Sequence, residues 1–256
     1  LLPLLWQLYT SFVTPESIIN PFSHTSNRWT FSNYTQILST NPPFWRFLLN
    51  STFVALCTTL TTLFIALPAS YSLSRMSVKL TKAIRLIILT AALFPYVLLF
   101  LALLELARSF NLGNNLIYLS MPYSVLSLPL AILLLTSAFN DLPIELEEAA
   151  RIEGLNLFQR LKWVLIPLIA PATASTSILV FLFSWNEYPI ALTWISKTEL
   201  LTLPVAIARI AGSSIYSVPY GAYAAATVLG AIPLLLIVIF FQKQIISGLT
   251  KGAIKG

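Results

Sequence analysis

Of the 256 residues, 57% are hydrophobic and only 9% are charged, and the mean hydropathy is +0.82. A soluble domain of this length needs far more polar surface, so the composition excludes a free globular enzyme and points to an all-α integral membrane protein. The net charge of +6 is that of loops oriented by lysine and arginine; no basic stripe interleaved with aromatics occurs, so nucleic acid is not an expected partner.

A bilayer core about 30 Å thick asks for roughly 20 apolar residues per helix. Leu1 to Val13 is apolar but covers only about 20 Å at 1.5 Å per residue, and is read as the end of a truncated first span. A signal-peptide remnant is the rival, without a basic n-region or small-residue cleavage site. Complete spans are expected at Phe47–Leu73, Ile84–Ala107, Leu119–Phe139, Ile169–Ile195 and Tyr220–Ile246, six crossings in all. Residues 1–46 then form the end of the first span and an outer segment, 47–246 the transmembrane domain, and 247–256 a tail. With the amino terminus inside, ten of the fifteen bases face the cytoplasm, from Arg75, Lys79, Lys82 and Arg85 to Lys243, Lys251 and Lys255; Arg28, Arg46, Arg108, Lys197 and Arg209 lie outside. That bias places both termini in the cytoplasm of a multi-pass protein.

Polar residues within the spans are taken in turn. The Thr58, Thr59, Thr61 and Thr62 run could line a wet cavity, but its hydroxyls can bond backbone carbonyls one turn back, which is the preferred reading. Pro95, Pro129, Pro171 and Pro233 are expected to bend or break their helices. Glu105 and Arg108, spaced i, i+3, are expected to neutralise each other on one helix face.

Between residues 140 and 167 the pattern changes: Asp141, Glu145, Glu147, Glu148 and Glu153 supply five of the nine acids, against three bases. Two short helices are expected there. Asn140 or Asp141 caps the first, Pro143 lies in its first turn, and Gly154 ends it in a left-handed conformation. Asn156 and Gln159 have capping-box spacing for the second, and Pro167 marks re-entry into the membrane. Ala149 and Ala150 leave one side of the first helix nearly bare for a partner surface; a plain solvated hairpin is the alternative from helix chemistry alone.

Farther on, Trp185, Asn186 and Glu187 are candidates for a solute path, since polar groups within a span are costly and mark function by default. They can equally form an interfacial belt or contact a partner. At Ala222, Ala226 and Gly230 a small-residue stripe favours close helix packing. One histidine, His24, and one cysteine, Cys57, cannot assemble a metal cluster or a nucleophilic pair, and no Gly-x-x-x-x-Gly-Lys-Ser/Thr phosphate loop occurs.

The run Glu148-Ala149-Ala150, three residues, Gly154, nine residues, then Val164-x-Ile166-Pro167 resembles the loop of permease subunits of bacterial binding-protein-dependent ABC importers. Trp29-Thr30-Phe31-Ser32-Asn33-Tyr34, Asn50-Ser51, Ser70-Tyr71-Ser72-Leu73-Ser74-Arg75, Ser184-Trp185-Asn186-Glu187, Thr202-Leu203-Pro204-Val205 and the tail from Gly248 to Gly256 extend the resemblance over nearly the whole chain. They are similar to its carbohydrate branch, and within it to the smaller maltose-transporter permease. The resemblance implies a type I importer permease fold in a bacterial inner membrane. It also implies that Glu147, Glu148, Ala149, Ala150, Arg151, Gly154 and Pro167 belong to a coupling helix and loop seated on an ATPase subunit. The expected partners are a second permease forming a heterodimer, two ATPase subunits carrying ATP and Mg, and an external solute-binding protein; this chain is expected to bind no cofactor and to be no enzyme. An ion-coupled secondary transporter is the alternative, and would need ionisable groups near the midplane of broken helices.

Overall fold

The structure is a computed structural model that describes residues 2–14, 17, 29–211 and 219–253. Among the described residues every regular element is a helix, apart from an isolated antiparallel bridge between Val13 and Trp29. In chain order the helices are α1 (Leu2–Ser11), α2 (Ser32–Leu38), α3 (Phe44–Ser74), α4 (Val78–Leu93), α5 (Tyr96–Ser109), α6 (Leu116–Asn140) and α7 (Ile144–Ile152). There follow α8 (Leu157–Arg160), a π turn (Leu161–Leu165), α9 (Ile166–Leu168), α10 (Ala170–Asn186), α11 (Pro189–Trp194), α12 (Leu203–Ala211) and α13 (Tyr220–Ala253). His24, Arg28 and residues 254–256 of the tail lie outside the described residues.

Among the described residues three helices are long and apolar enough to cross a bilayer, α3, α6 and, over Tyr220–Gln242, α13, or four if the bent pair Leu157–Leu168 and Ala170–Asn186 is one span. The expected single span Ile84–Ala107 is instead two helices. Phe94, just before Pro95, takes the extended conformation at φ −66 and ψ 131, as the proline ring demands of its predecessor. The break follows because Pro95 has no N–H for the carbonyl one turn back. Ile169–Ile195 is likewise divided: α10 stops at Asn186, and α11 begins at Pro189. At its other end, Leu157–Leu168 and Ala170–Asn186 meet at 81°. That bend lies two residues before Pro171, whose missing N–H leaves the Pro167 carbonyl without its helical donor. Pro129 and Pro233 sit inside continuous helices, as do Pro68 and Pro122.

Contacts divide the chain into two compact units, the first made of Leu1–Val54, Leu104–Leu119 and Trp185–Leu236, the second of Ala55–Leu103, Ser120–Ser184 and Ile237–Gly256. In the first unit, buried amides and hydroxyls close the backbone where helices stop. Asn50 donates to the carbonyls of Glu199 and Leu201 at 3.0 and 2.9 Å, and Ser51 Oγ accepts from the Leu203 N–H at 2.8 Å. Asn33 donates to the Ser11 and Val13 carbonyls, both at 3.0 Å. Such orphan groups would each cost free energy if left unpaired in an apolar setting. A Cβ at Gly221 would fall 2.6 Å from Asn33 Cγ. Gly221→Ala is therefore expected to push Asn33 off its two carbonyls and to destabilise the chain by about 2 kcal/mol, read as a lower thermal midpoint; an unchanged midpoint would count against this packing.

The second unit is built around Ala66, Ala131, Leu135, Phe139, Leu165 and Ile169, with Tyr71 and Leu142 packed against them. Small residues on α3 and α6 let these helices approach closely, and Ser70 Oγ donates across to the Ile132 carbonyl at 3.2 Å. The core thus runs from the helix shafts down to the π turn, which anchors the polar loop that follows α6.

Candidate functional site

The loop is more tightly specified than its polarity suggests. Helix α7 does not take Asn140 or Asp141 as its cap: Asn140 is the last residue of α6, and Pro143 stands at the N-cap with no side-chain hydrogen bond. Pro143 thus precedes the first turn, in an extended conformation at φ −58 and ψ 135. Glu145 and Glu147 in that turn meet the positive helix end by charge. The other end follows expectation. Gly154 has φ +82, its N–H donates to the Arg151 carbonyl at 3.0 Å, and the Leu155 N–H donates to the Ala150 carbonyl at 3.1 Å, the paired bonds of a Schellman cap. Asn156 and Gln159 form the reciprocal capping box that starts α8.

This geometry splits the predicted residues between two faces. Glu147 and Ala150, three apart, are buried, whereas Glu148, Ala149, Arg151, Gly154 and Pro167 are exposed. The bare side expected of both alanines therefore belongs to Ala149 alone. Ile152, Phe158 and Trp163 of the same loop are 87%, 70% and 68% exposed, an apolar content unusual for a solvated turn.

Glu147 is the centre of the inward face. Arg75 Nε donates to its Oε2 at 2.8 Å, Arg160 Nη1 to its Oε1 at 3.3 Å, and the Tyr71 hydroxyl also donates to Oε1. Arg75 also reaches the Phe139 carbonyl at 3.4 Å. The carboxylate ties three segments, the end of α3, α7 and α8, and Arg75 carries the link on to the end of α6. Glu147 is one of the residues expected in the coupling helix, and the structure turns its side chain into the chain.

Burial pushes the Glu147 carboxyl up, but the hydrogen bonds from Tyr71 and Arg75 and the charges of Arg75 and Arg160 outweigh it, holding the group below its usual 4.5. Because the folded value is the lower one, the stabilisation is fully present above the unfolded pKa and is lost as pH falls through the folded value. Acidification from pH 6 to below about 4 is therefore expected to lower the thermal midpoint of the wild-type chain more than that of Glu147→Gln. Parallel melting curves check this, and equal acid sensitivity would refute it.

The second candidate group lies in the first unit. Glu187 is 5% exposed, and its two oxygens accept from the Ile190 and Ala191 N–H groups at 3.0 and 3.2 Å. It thereby supplies the start of α11, where the expected span breaks. Trp185 and Asn186 instead line a cleft of about 410 Å³ together with Tyr188, Tyr223, Thr227 and Gly230; Glu187 is not among its lining residues. Gly230 belongs to the predicted small-residue stripe, and a Cβ there would lie 2.9 Å from Leu203 Cδ2, so the stripe seats α12 on α13.

The remaining expectations divide. Among the described residues no ion pair joins Glu105 to Arg108; Arg108 opens onto a cleft with Asn111, Asn114 and Trp194. Thr59 does bond back to the Ala55 carbonyl at 2.7 Å, while Thr58 accepts from Ser184 at 3.2 Å. Among the described residues there is no group of three or more histidine, cysteine or acidic side chains able to hold a metal ion.

Comparison with known proteins gives a consistent result. The family described as "Binding-protein-dependent transport system inner membrane component" matches residues 22–251. The sulfoquinovosyl glycerol transport system permease protein of Agrobacterium fabrum is 38% identical over 100% of this chain and 89% of its own length. The trehalose transport system permease protein of Mycobacterium tuberculosis is 34% identical over 100% and 93%, and the trehalose/maltose transport system permease protein of Thermococcus litoralis 36% over 100% and 92%. Among solved structures, a chain of a bacterial ABC transporter involved in import of the acidic polysaccharide alginate superposes with a TM-score of 0.75, at 22% identity over 94% of this chain and 89% of that one. A chain of the methionine ABC transporter in an inward-facing conformation gives 0.61, at 18% identity over 84% and 97%.

Proposed function

Because the chain belongs to the family of binding-protein-dependent transport system inner membrane components, we propose that it is a permease subunit of a carbohydrate ABC importer, driven through the loop at 140–167 by a separate ATPase. In this reading the chain crosses the inner membrane six times: α1, α3, α4 with α5, α6, α10 with α11, and α13. Both termini and the loop then lie in the cytoplasm. A second permease completes the translocation unit, ATP and Mg sit on two ATPase subunits, and a solute-binding protein delivers the sugar from outside.

The observation that carries this reading is the Glu147 latch. An ATPase that moves α7 moves the helices with it, because the Glu147 carboxylate holds Tyr71 and Arg75 at the end of α3 and Arg75 in turn holds the Phe139 carbonyl at the end of α6. The outward residues Glu148, Ala149, Arg151 and Gly154 offer a surface for the ATPase, and Pro167 fixes the loop's return toward α10. Closure of the ATPase dimer is then linked to helix rearrangement as a coupling between two sites.

Co-expression with the candidate ATPase, second permease and binding protein tests the reading. The ATPase is expected to co-purify with this chain, and uptake in proteoliposomes is expected to need ATP and the binding protein. Uptake driven by an ion gradient in the absence of ATPase would favour the secondary-transporter alternative.

A further inference from the structure

The cleft beside the α10–α11 break is lined by neutral groups only. Tyr188 and Tyr223, both half-buried, bring aromatic faces and Trp185, 3% exposed, only a margin of its ring, while Asn186, Thr227 and the tyrosine hydroxyls bring uncharged donors and acceptors. Thr227 Oγ1 donates to the Tyr223 carbonyl at 2.8 Å, leaving its lone pairs to accept. At about 410 Å³ the space falls within the range of small-molecule sites, which combine an apolar lining with a few placed polar groups. A sugar ring has the matching surface: C–H faces for the aromatic rings and hydroxyls at its rim.

The charge pattern narrows the ligand further. No lysine, arginine or histidine lines the cleft, so a sulfonate, phosphate or carboxylate entering it would lose water and gain no counterion. Glu187, the neighbour of Asn186, holds its carboxyl group on the Ile190 and Ala191 N–H groups and brings no counterion to the cleft. The broken span has a reason to be here as well, since irregular backbone at membrane depth is tolerated where it lines a cavity.

We propose that this chain carries its own sugar subsite, the cleft formed by Trp185, Asn186, Tyr188, Tyr223 and Thr227, and that it accepts a neutral sugar ring and rejects an anionic one. The proposal rests on the importer reading and assigns this subunit a direct part in cargo selection.

The test uses the assembled importer in proteoliposomes with its binding protein, and trehalose, maltose and sulfoquinovosyl glycerol as probes. The wild type is expected to import a neutral disaccharide. Asn186→Ala is expected to cut that uptake about five- to tenfold, and Ala231→Phe, which fills the cleft without removing a polar group, by at least as much. Binding-protein-stimulated ATP hydrolysis should stay within about twofold of wild type in both, which separates a cargo defect from misfolding or lost coupling. Wild-type import of the sulfonated probe in preference to the neutral ones overturns the proposal. So does unchanged uptake in both variants, with cross-linking from position 231 to the second permease placing a partner helix in the cleft. Failure of the importer reading looks different: no ATP-dependent uptake of any probe by the wild type.

Discussion

Glu147→Ala is expected to stop solute uptake almost completely while leaving the chain in the membrane. The carboxylate takes hydrogen bonds from Tyr71 and Arg75 and an ion pair from Arg160, and the two arginine side chains are only 20% and 17% exposed. Deleting the acid leaves two partly buried cations facing each other. Breaking a buried pair by removing one partner costs about 3 to 5 kcal/mol, and the residual exposure puts this case near 3. The arginines are already donor-rich, with Arg75 Nη2 and Arg160 Nε buried and unpartnered, so among the described residues no second acceptor takes over. The loss falls on the joint between α7 and the ends of α3 and α6, and ATP hydrolysis should therefore outlast transport. Measured together, uptake should fall more than tenfold and hydrolysis far less. A double variant, Glu147→Ala with Arg160→Met, removes one uncompensated cation and is expected to recover part of the thermal stability; a further drop would mean that Arg160 stabilises the loop by some other route.

The same latch shows what a sequence discloses and what it hides. Two caps of the loop are local and legible, Gly154 for its positive φ and Asn156 with Gln159 for spacing alone, whereas the start of α7 falls to Pro143 rather than to Asn140 or Asp141. Pro95 and Pro189 mark breaks for a local reason too, the absent N–H. The face of α7 was not legible, because Glu147 and Glu148 are equivalent acids until something distant chooses between them, and the choice is made by Arg75, 72 residues away. The motif residues had been read side by side, yet Asn50 meets Leu201 across a separation of 151 and Ser51 meets Leu203 across 152. Their role is to close the backbone at a helix stop, which no periodicity reveals. Glu187 misleads for a related reason. A carboxylate in an apolar span suggests a ligand, but two N–H groups at the start of α11 use it, and that start exists only because the span breaks.

Gly154 offers the sharpest separation of folding from partnership. Its φ of +82 disfavours any side chain, yet a Cβ built there meets nothing within 4 Å, so a substitution strains the backbone without clashing inside the chain. Asparagine tolerates the left-handed region better than a β-branched residue does. If the glycine served only the Schellman cap, Gly154→Asn would be nearly neutral and Gly154→Val would cost a few kcal/mol at most. If the open space beside it is occupied by an ATPase subunit, any side chain intrudes there. Gly154→Asn and Gly154→Asp are then both expected to cut binding-protein-stimulated ATP hydrolysis or ATPase co-purification by more than tenfold, while the melting temperature of the isolated chain barely moves for Asn. The isolated-chain melt and the co-purification yield should therefore part company at this one residue. Normal stimulated hydrolysis in Gly154→Asp would falsify the assignment of this loop as the coupling element.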